Sequence, residues 1–167
     1  MGFMEELRQA GDSRVDISHD AHDEQVEILE PELASLVGSN QLAKLVLLYG
    51  TPDKITIRRV EATEQASLIQ FHTDTGSFKT MQVPINEKGT DYEGGRLVFA
   101  TSAGFVTRRR LAGSYTIPHW YMPHGVTALL WGVRYSLFFQ TTGQPKSAGG
   151  KFGATDATVR AEEMRML

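Results

Sequence analysis

His72 and Asp74 stand two residues apart at the end of the run SLIQFHTD, and their types suit metal binding. The β-branched and aromatic residues of this run predict a strand. Residues i and i+2 of a strand project from the same face, so the imidazole and the carboxylate can bind one ion. A pattern this short also fits a surface pair at a strand end, and both interpretations stay open on these residues alone.

Arg134 and Ser136 lie in the run VRYSLFF, in which both faces of the predicted strand carry apolar residues. Such a strand is buried on both sides, so the Arg134 guanidinium is expected to need an anionic partner. Arginine can hold a carboxylate through two parallel hydrogen bonds, and the Ser136 hydroxyl can donate a further bond on the same face. The alternative is that a structural Asp or Glu pairs with Arg134.

His124 precedes the apolar run GVTALL and supplies a second histidine for a site with His72 and Asp74. Two histidines and one carboxylate make the facial triad of non-haem Fe(II) oxygenases, which leaves coordination positions open. An arginine that binds carboxylates supplies a means of holding an organic acid beside the metal. The combination points to oxygenase chemistry more specifically than any single residue does.

At these positions the chain resembles the Fe(II)- and 2-oxoglutarate-dependent dioxygenases, in the branch that includes the prolyl 4-hydroxylases. The resemblance rests on three segments in the family's order, FHTDTGSFKTMQVPIN, YEGGRLVF and AGSYTIPHWYMPHGVTALLWGVRYSLFF. It implies that His72, Asp74 and His124 are the iron ligands. It also implies that Arg134, ten residues after His124, holds the distal carboxylate of 2-oxoglutarate, and that Ser136 is the hydroxyl of an Arg-x-Ser pair.

The resemblance implies hydroxylation of a C–H bond, with dioxygen and 2-oxoglutarate consumed and succinate and carbon dioxide released. The cofactor would be Fe(II), with ascorbate as a candidate reductant. The substrate would be a protein side chain, prolyl among the options, or a small molecule. Prolyl 4-hydroxylases have Lys at the position of Arg134, and many have Tyr at that of Arg59, so the substrate stays open. The Asp74 carboxylate favours hydroxylation over halogenation.

Two other classes of function fit the same residues. One is a non-catalytic jelly-roll module that binds a metal and turns nothing over. The other is a metal-dependent cupin enzyme that does not use 2-oxoglutarate and would not need Arg134 as an anchor.

Several other residues are weaker candidates for chemistry. His119 is a rival third ligand, but it precedes an aromatic loop rather than the apolar strand. The cluster at 19–24 lacks the apolar walls that fix ligand geometry. The arginines at 108–110 could contact an anion, although three charges in a loop more often form a solvated edge.

The elements that must position these residues follow from the hydrophobic pattern. PELASLVGSNQLAKLVLLYG carries apolar residues three and four apart after an initial Pro, which predicts a helix or a helical pair. Eight short runs follow with brief loops: ITIRRV, SLIQFH, KTMQVPI, RLVFAT, FVTR, SYTI, GVTALL and VRYSLFF. Short loops favour antiparallel pairing. We therefore expect a mainly β fold, a double-stranded β-helix (jelly roll, cupin-like) with one or more flanking N-terminal helices.

The chain divides into three parts by composition. Residues 1–30 form a polar lead-in, with a short amphipathic helix at Phe3–Gln9 and a charged connector, DISHDAHDEQVE. The resemblance implies a dioxygenase domain at residues 31–145, with core strands expected at about 54–140. Residues 146–167 form a flexible Gly- and Ala-rich tail that ends in a short helix.

Composition excludes several classes of site. The 167 residues contain no cysteine, so disulfides, thiolate catalysis and cysteine-bound metals are excluded. A formal net charge of -3 provides no global field for nucleic acid, which argues against that partner. No apolar run approaches the ~20 residues that cross a bilayer, and no signal-like segment opens the chain. We expect a cytoplasmic protein with no membrane partner.

Overall fold

Most of the strands expected from about residue 54 onward are present, and two further strands precede them. The computed structural model describes residues 2–10, 12–20, 22–64, 69–74 and 76–143. These residues form helices α1 (Gly2–Gln9), α2 (Glu30–Val37) and α3 (Ser39–Tyr49), and strands β1 (Val15–Asp20), β2 (Asp23–Glu27), β3 (Lys54–Glu61), β4 (Ile69–His72), β5 (Ser77–Pro84), β6 (Tyr92–Gly94), β7 (Leu97–Thr101), β8 (Gly104–Thr107), β9 (His124–Val126) and β10 (Leu129–Thr142).

The strands pair into two antiparallel sheets. The larger sheet has the order β1-β2-β3-β10-β5, with β6 paired to the first part of β10. The smaller sheet has the order β4-β9-β7-β8. Side chains from both sheets line one cavity between them. This arrangement confirms the predicted mainly β jelly-roll fold with flanking helices.

Strand β10 has one face toward the helices and the other toward the smaller sheet. Leu137 and Phe139 are buried in the main apolar core, where they meet Leu45 and Tyr49 of α3. The alternate residues Arg134 and Ser136 are also buried but face the cavity side. The same strand therefore stabilises the fold with one face and contributes polar groups to the interior with the other.

The helical segment is a pair of helices that covers the larger sheet. Gly38 separates α2 from α3 and has a φ of 87°, a left-handed conformation that favours glycine. Leu33 of α2 and Leu42 and Leu45 of α3 are buried in the same cluster as Phe139. The apolar spacing of the sequence thus corresponds to the face that packs on the sheet.

Residues 15–20 and 23–27, which include most of the charged connector of the sequence analysis, are strands. They form the hairpin β1-β2, which pairs with β3 and extends the larger sheet. Val26 is fully buried in the main core, and Asp23 accepts two hydrogen bonds from Arg58 across the strand pair. Because the cross-strand cation neutralises its carboxylate, this acidic segment can form part of the sheet.

Two other segments differ from the predicted strands. SYTI forms only a bridge, in which Thr116 exchanges two backbone hydrogen bonds with Gln82. GVTALL is divided between the end of β9 and the start of β10. Part of SLIQFH and all of the predicted tail at 146–167 lie outside the described residues. In the described part of the chain, no helix has the length and apolar character needed to span a membrane.

We predict that Phe139→Ala lowers the free energy of unfolding by about 3–5 kcal/mol, because it leaves a cavity between α3 and the larger sheet. Chemical denaturation measures the change. Leu47→Ala is the matched control, since the Leu47 side chain on α3 is 86% exposed, and it should change stability by less than about 0.5 kcal/mol. Equal losses in both variants would contradict this packing.

Candidate metal centre

Strands β4 and β9 position the two histidines directly opposite each other. His72 is the last residue of β4 and His124 the first residue of β9, and the antiparallel register pairs them. Their ring centroids are 4.6 Å apart. Opposite residues in such a pair project to the same side of the sheet, so both imidazoles face the same space.

Asp74 joins the histidines two residues beyond the end of β4. Its Oδ1 lies 3.9 Å from Nε2 of His72 and 3.7 Å from Nε2 of His124. One potential ligand atom from each residue lies within 4.8 Å of the other two. The structure therefore brings together the three residues that the sequence pattern selected, although 52 positions separate His72 from His124.

Backbone carbonyls orient both imidazole rings. Nδ1 of His72 lies 2.9 Å from the carbonyl oxygen of Gln70, and Nδ1 of His124 lies 2.9 Å from that of Met122. A carbonyl oxygen only accepts, so each Nδ1 donates its proton and each Nε2 keeps a lone pair. Both lone pairs are on the nitrogens nearest Asp74. This is the tautomer that a metal-binding histidine requires.

Oδ2 of Asp74 is buried and has no hydrogen-bond partner among the described residues. A buried carboxylate oxygen without a partner is costly, and a cation relieves that cost. Exposure of the side chains falls from 45% for His72 to 9% for His124, so one side of the group is open to solvent. Two imidazole nitrogens and one carboxylate fit the facial triad that binds Fe(II).

The cavity beside the three residues has a volume of about 170 Å³ and a polar wall. The larger sheet contributes side chains that the sequence analysis did not select, namely Gln25, Thr56, Arg58, Thr80, Gln82 and Gln140. Alternation along β3 could have placed Thr56 and Arg58 on one face. It could not have shown that this face looks toward His72 and His124.

Arg58, rather than Arg59, projects into the metal cavity. Its Nε donates to Oδ1 of Asp23 at 2.7 Å, and its Nη2 donates to Oδ2 of the same carboxylate. Arg59 projects to the opposite face of β3 and pairs with Glu61 at 2.7 Å. The Arg58 charge is therefore already neutralised within the protein.

Arg134 is buried, with 5% of its surface exposed, and lies opposite Val60 of β3. It lines a neighbouring cavity of about 460 Å³ rather than the metal cavity, and Leu97 lines both. Ser136 is buried two residues further along β10, opposite Arg58.

Among the described residues, no carboxylate pairs with Arg134. Burial lowers its pKa, and the nearby Tyr92 and Asp23 oppose that shift in part. Asp23, however, is engaged by Arg58. No salt bridge to Arg134 exists in the described part of the chain, so the structural ion pair considered in the sequence analysis is not found there.

The other candidates lie elsewhere. The backbone of His119 forms an isolated β-bridge with Lys79 of β5, and its ring centroid lies 4.1 Å from that of Tyr121. Nδ1 of His22 lies 3.6 Å from Oε2 of Glu61. Across the described residues, His72, Asp74 and His124 form the one group of three side chains arranged to hold a metal ion.

Comparison with known proteins supports the fold. No protein-family model matches the sequence, and no curated protein matches it. A prolyl hydroxylase from Trichoplax adhaerens, solved in complex with a hypoxia inducible factor oxygen degradation domain peptide fragment, is similar in structure. Its TM-score is 0.59 at 14% identity, and the match covers 96% of this chain and 79% of that chain.

Two bacterial structures are also similar. An oxidoreductase of the 2OG-Fe(II) oxygenase family from Burkholderia pseudomallei has a TM-score of 0.56 at 14% identity, covering 81% of this chain and 77% of that one. A prolyl-4-hydroxylase from Pseudomonas putida has a TM-score of 0.51 at 18% identity, covering 85% of each chain. At these identities the likeness extends to the jelly-roll fold alone.

We predict that the purified protein binds one Mn(II), a common substitute for Fe(II), and that Asp74→Ala abolishes this binding. The reason is that Asp74 supplies the anionic ligand between two neutral imidazoles. Isothermal titration calorimetry measures the affinity. His119→Gln removes the rival histidine and should leave Mn(II) affinity unchanged. Loss of binding in His119→Gln with retention in Asp74→Ala would contradict the assignment.

Proposed function

We propose that this protein is an Fe(II)- and 2-oxoglutarate-dependent dioxygenase that hydroxylates a C–H bond of a protein side chain or a small molecule. The observation that carries the proposal is the convergence of His72, Asp74 and His124, with the two Nε2 atoms 3.9 and 3.7 Å from Oδ1 of Asp74. The jelly-roll fold shared with structures of oxygenases supports it. Arg134 is buried and has no salt bridge among the described residues, which supports the use of an organic acid as co-substrate.

His72, Asp74 and His124 would hold the metal. The chemistry that Fe(II) supplies when bound is activation of dioxygen, coupled to decarboxylation of 2-oxoglutarate to succinate and carbon dioxide. The backbone carbonyls of Gln70 and Met122 hold the proton of each neutral imidazole on Nδ1 and orient the rings. At this end of the site the protein therefore orients the imidazole rings that would bind the metal.

Apolar side chains of the smaller sheet shield the buried side of the site. Leu97, Phe99 and Val126 form a buried cluster, and the Phe99 ring centroid lies 5.9 Å from that of His124. Such a wall limits the access of water to a reactive centre and strengthens the electrostatic interactions within it. The half-exposed His72 marks the opposite, open side, through which a substrate would enter.

Arg134 would hold the distal carboxylate of 2-oxoglutarate. A guanidinium offers that carboxylate two parallel hydrogen bonds, and Arg134 has no competing salt bridge among the described residues. Ser136, on the same face of β10, would donate an additional bond. Leu97 borders both cavities, so the cavity that contains Arg134 lies next to the metal cavity.

The open rim at His72 suits a substrate side chain presented from outside as well as a small molecule. The structural neighbour that binds a peptide fragment makes a protein substrate, prolyl residues included, one option for this chain. The polar cavity wall suits a substrate with hydrogen-bonding groups. Ascorbate would serve as reductant.

The position of Arg134 favours a second candidate function. Because Arg134 lines the neighbouring cavity, the metal cavity by itself would also suit a jelly-roll protein that binds metal without 2-oxoglutarate. That protein would be a non-catalytic metal-binding module or a cupin-type metalloenzyme. Consumption of 2-oxoglutarate separates this candidate from the dioxygenase.

We predict that the Fe(II)-loaded protein converts 2-oxoglutarate to succinate, slowly alone and faster with its substrate, and that Asp74→Ala abolishes the reaction. Succinate is quantified by mass spectrometry against an enzyme-free control. Lys44→Gln, an exposed change on α3, should retain wild-type turnover. Metal binding without any succinate, across candidate peptides and small molecules, would contradict the proposal and favour the second candidate.

We further predict that Arg134→Gln raises the KM for 2-oxoglutarate by about tenfold or more, because the distal carboxylate loses its charged partner. The measurement is initial-rate kinetics at saturating dioxygen. A fall in kcat with an unchanged KM would show that Arg134 does not hold the co-substrate.

A further inference from the structure

The cavity that contains Arg134 is lined by five arginines, and we call it the arginine cavity. Its volume is about 460 Å³, and the five are Arg96, Arg108, Arg109, Arg110 and Arg134. Its one lining carboxylate, Glu87, accepts the backbone N–H of Ala112. None of the five arginines forms a salt bridge within the part of the chain that the structure describes. A concave surface on which one charge sign predominates concentrates ligands of the opposite sign.

Arg110 is held at the inner wall of this cavity. The loop that carries it is fixed to β5 by backbone hydrogen bonds, from the Thr116 N–H to Gln82 O at 3.0 Å and from the Gly113 N–H to Pro84 O at 2.8 Å. The Arg110 guanidinium donates to the side-chain and backbone oxygens of Gln82. The expectation of a solvated edge is therefore wrong for Arg110, although Arg108 and Arg109 are exposed.

Part of the Arg110 guanidinium lacks a partner. Its Nε is buried and has no acceptor among the described residues. Burial and the nearby charge of Arg134 lower the pKa of Arg110 to about 9. Two partly desolvated cations near each other destabilise the protein, and an anion between them relieves the repulsion and supplies the missing acceptor.

We propose that Arg110 and Arg134 together form a two-guanidinium site that binds one carboxylate group of a small dicarboxylate. Gln82 connects this site to the metal centre, because it accepts from Arg110 and also lines the metal cavity. The identity of the dicarboxylate as 2-oxoglutarate rests on the proposed function, whereas the anion site itself does not. The exposed Arg108 and Arg109 lie at the outer part of the cavity and attract the ligand toward it.

The test is calorimetric titration of glutarate into the full chain, with and without Mn(II). Glutarate has the two carboxylates of 2-oxoglutarate but lacks the 2-oxo group, so its binding reports the anion site and not chelation of the metal. We expect Arg110→Gln and Arg134→Gln each to weaken glutarate binding by about tenfold or more. Lys44→Gln removes the same charge far from the cavity and should have no effect.

A second variant guards against a folding defect. Arg110→Lys keeps the charge but loses the planar fork, so it should bind glutarate with an affinity between those of the wild type and Arg110→Gln. Circular dichroism and an unchanged Mn(II) affinity verify that each variant is folded. If Arg110→Gln does not fold, the weakening of glutarate binding in Arg110→Lys decides whether Arg110 belongs to the site. Glutarate affinity that depends on Arg134 and is unchanged in the folded Arg110 variants would overturn the proposal.

Failure of the anion site and failure of the proposed function give different experimental results. Glutarate binding through both arginines without succinate production would contradict the dioxygenase and leave the anion site standing. Succinate production with glutarate binding independent of Arg110 would support the dioxygenase and overturn the two-guanidinium site.

Discussion

The pairing of β4 with β9 is the interaction on which the candidate site depends. A shift of one residue in this register would turn His124 to the opposite face and separate it from His72 and Asp74. Gly125 permits the close approach of the two strands, because a Cβ there would lie 2.8 Å from the carbonyl oxygen of Ile69. The chemistry of the site therefore depends on a close backbone approach that only glycine permits.

The two faces of the larger sheet have different roles: one stabilises the fold and the other carries groups suited to binding. Its outer face packs against α2 and α3 through residues such as Phe139 and satisfies the hydrophobic requirement of the fold. Its inner face carries polar and cationic groups. Arg58 is neutralised by Asp23, whereas Arg134, and Arg110 on the loop docked against β5, have no salt bridge among the described residues. Functional sites commonly keep such locally unfavourable groups, because a ligand supplies the missing interaction.

Much of the site and of the architecture could be predicted from the sequence. The i, i+2 spacing placed His72 and Asp74 on one face, and apolar residues on both faces of VRYSLFF indicated that Arg134 is buried. The β1-β2 hairpin and the role of Arg110 could not be predicted. The hairpin depends on the Arg58 partner of Asp23, 35 residues away, and Arg110 depends on the Gln82 oxygens, 28 residues away.

The sequence by itself determined which side chains share a face, because the two-residue period of a strand and the 3.6-residue period of a helix are local properties. The tertiary structure decided which faces meet. It set His72 opposite His124, placed Arg134 in a cavity next to the metal cavity, and brought Arg110 near Arg134. These relations arise from long-range strand register and loop docking, whose hydrogen bonds join residues that no local pattern connects.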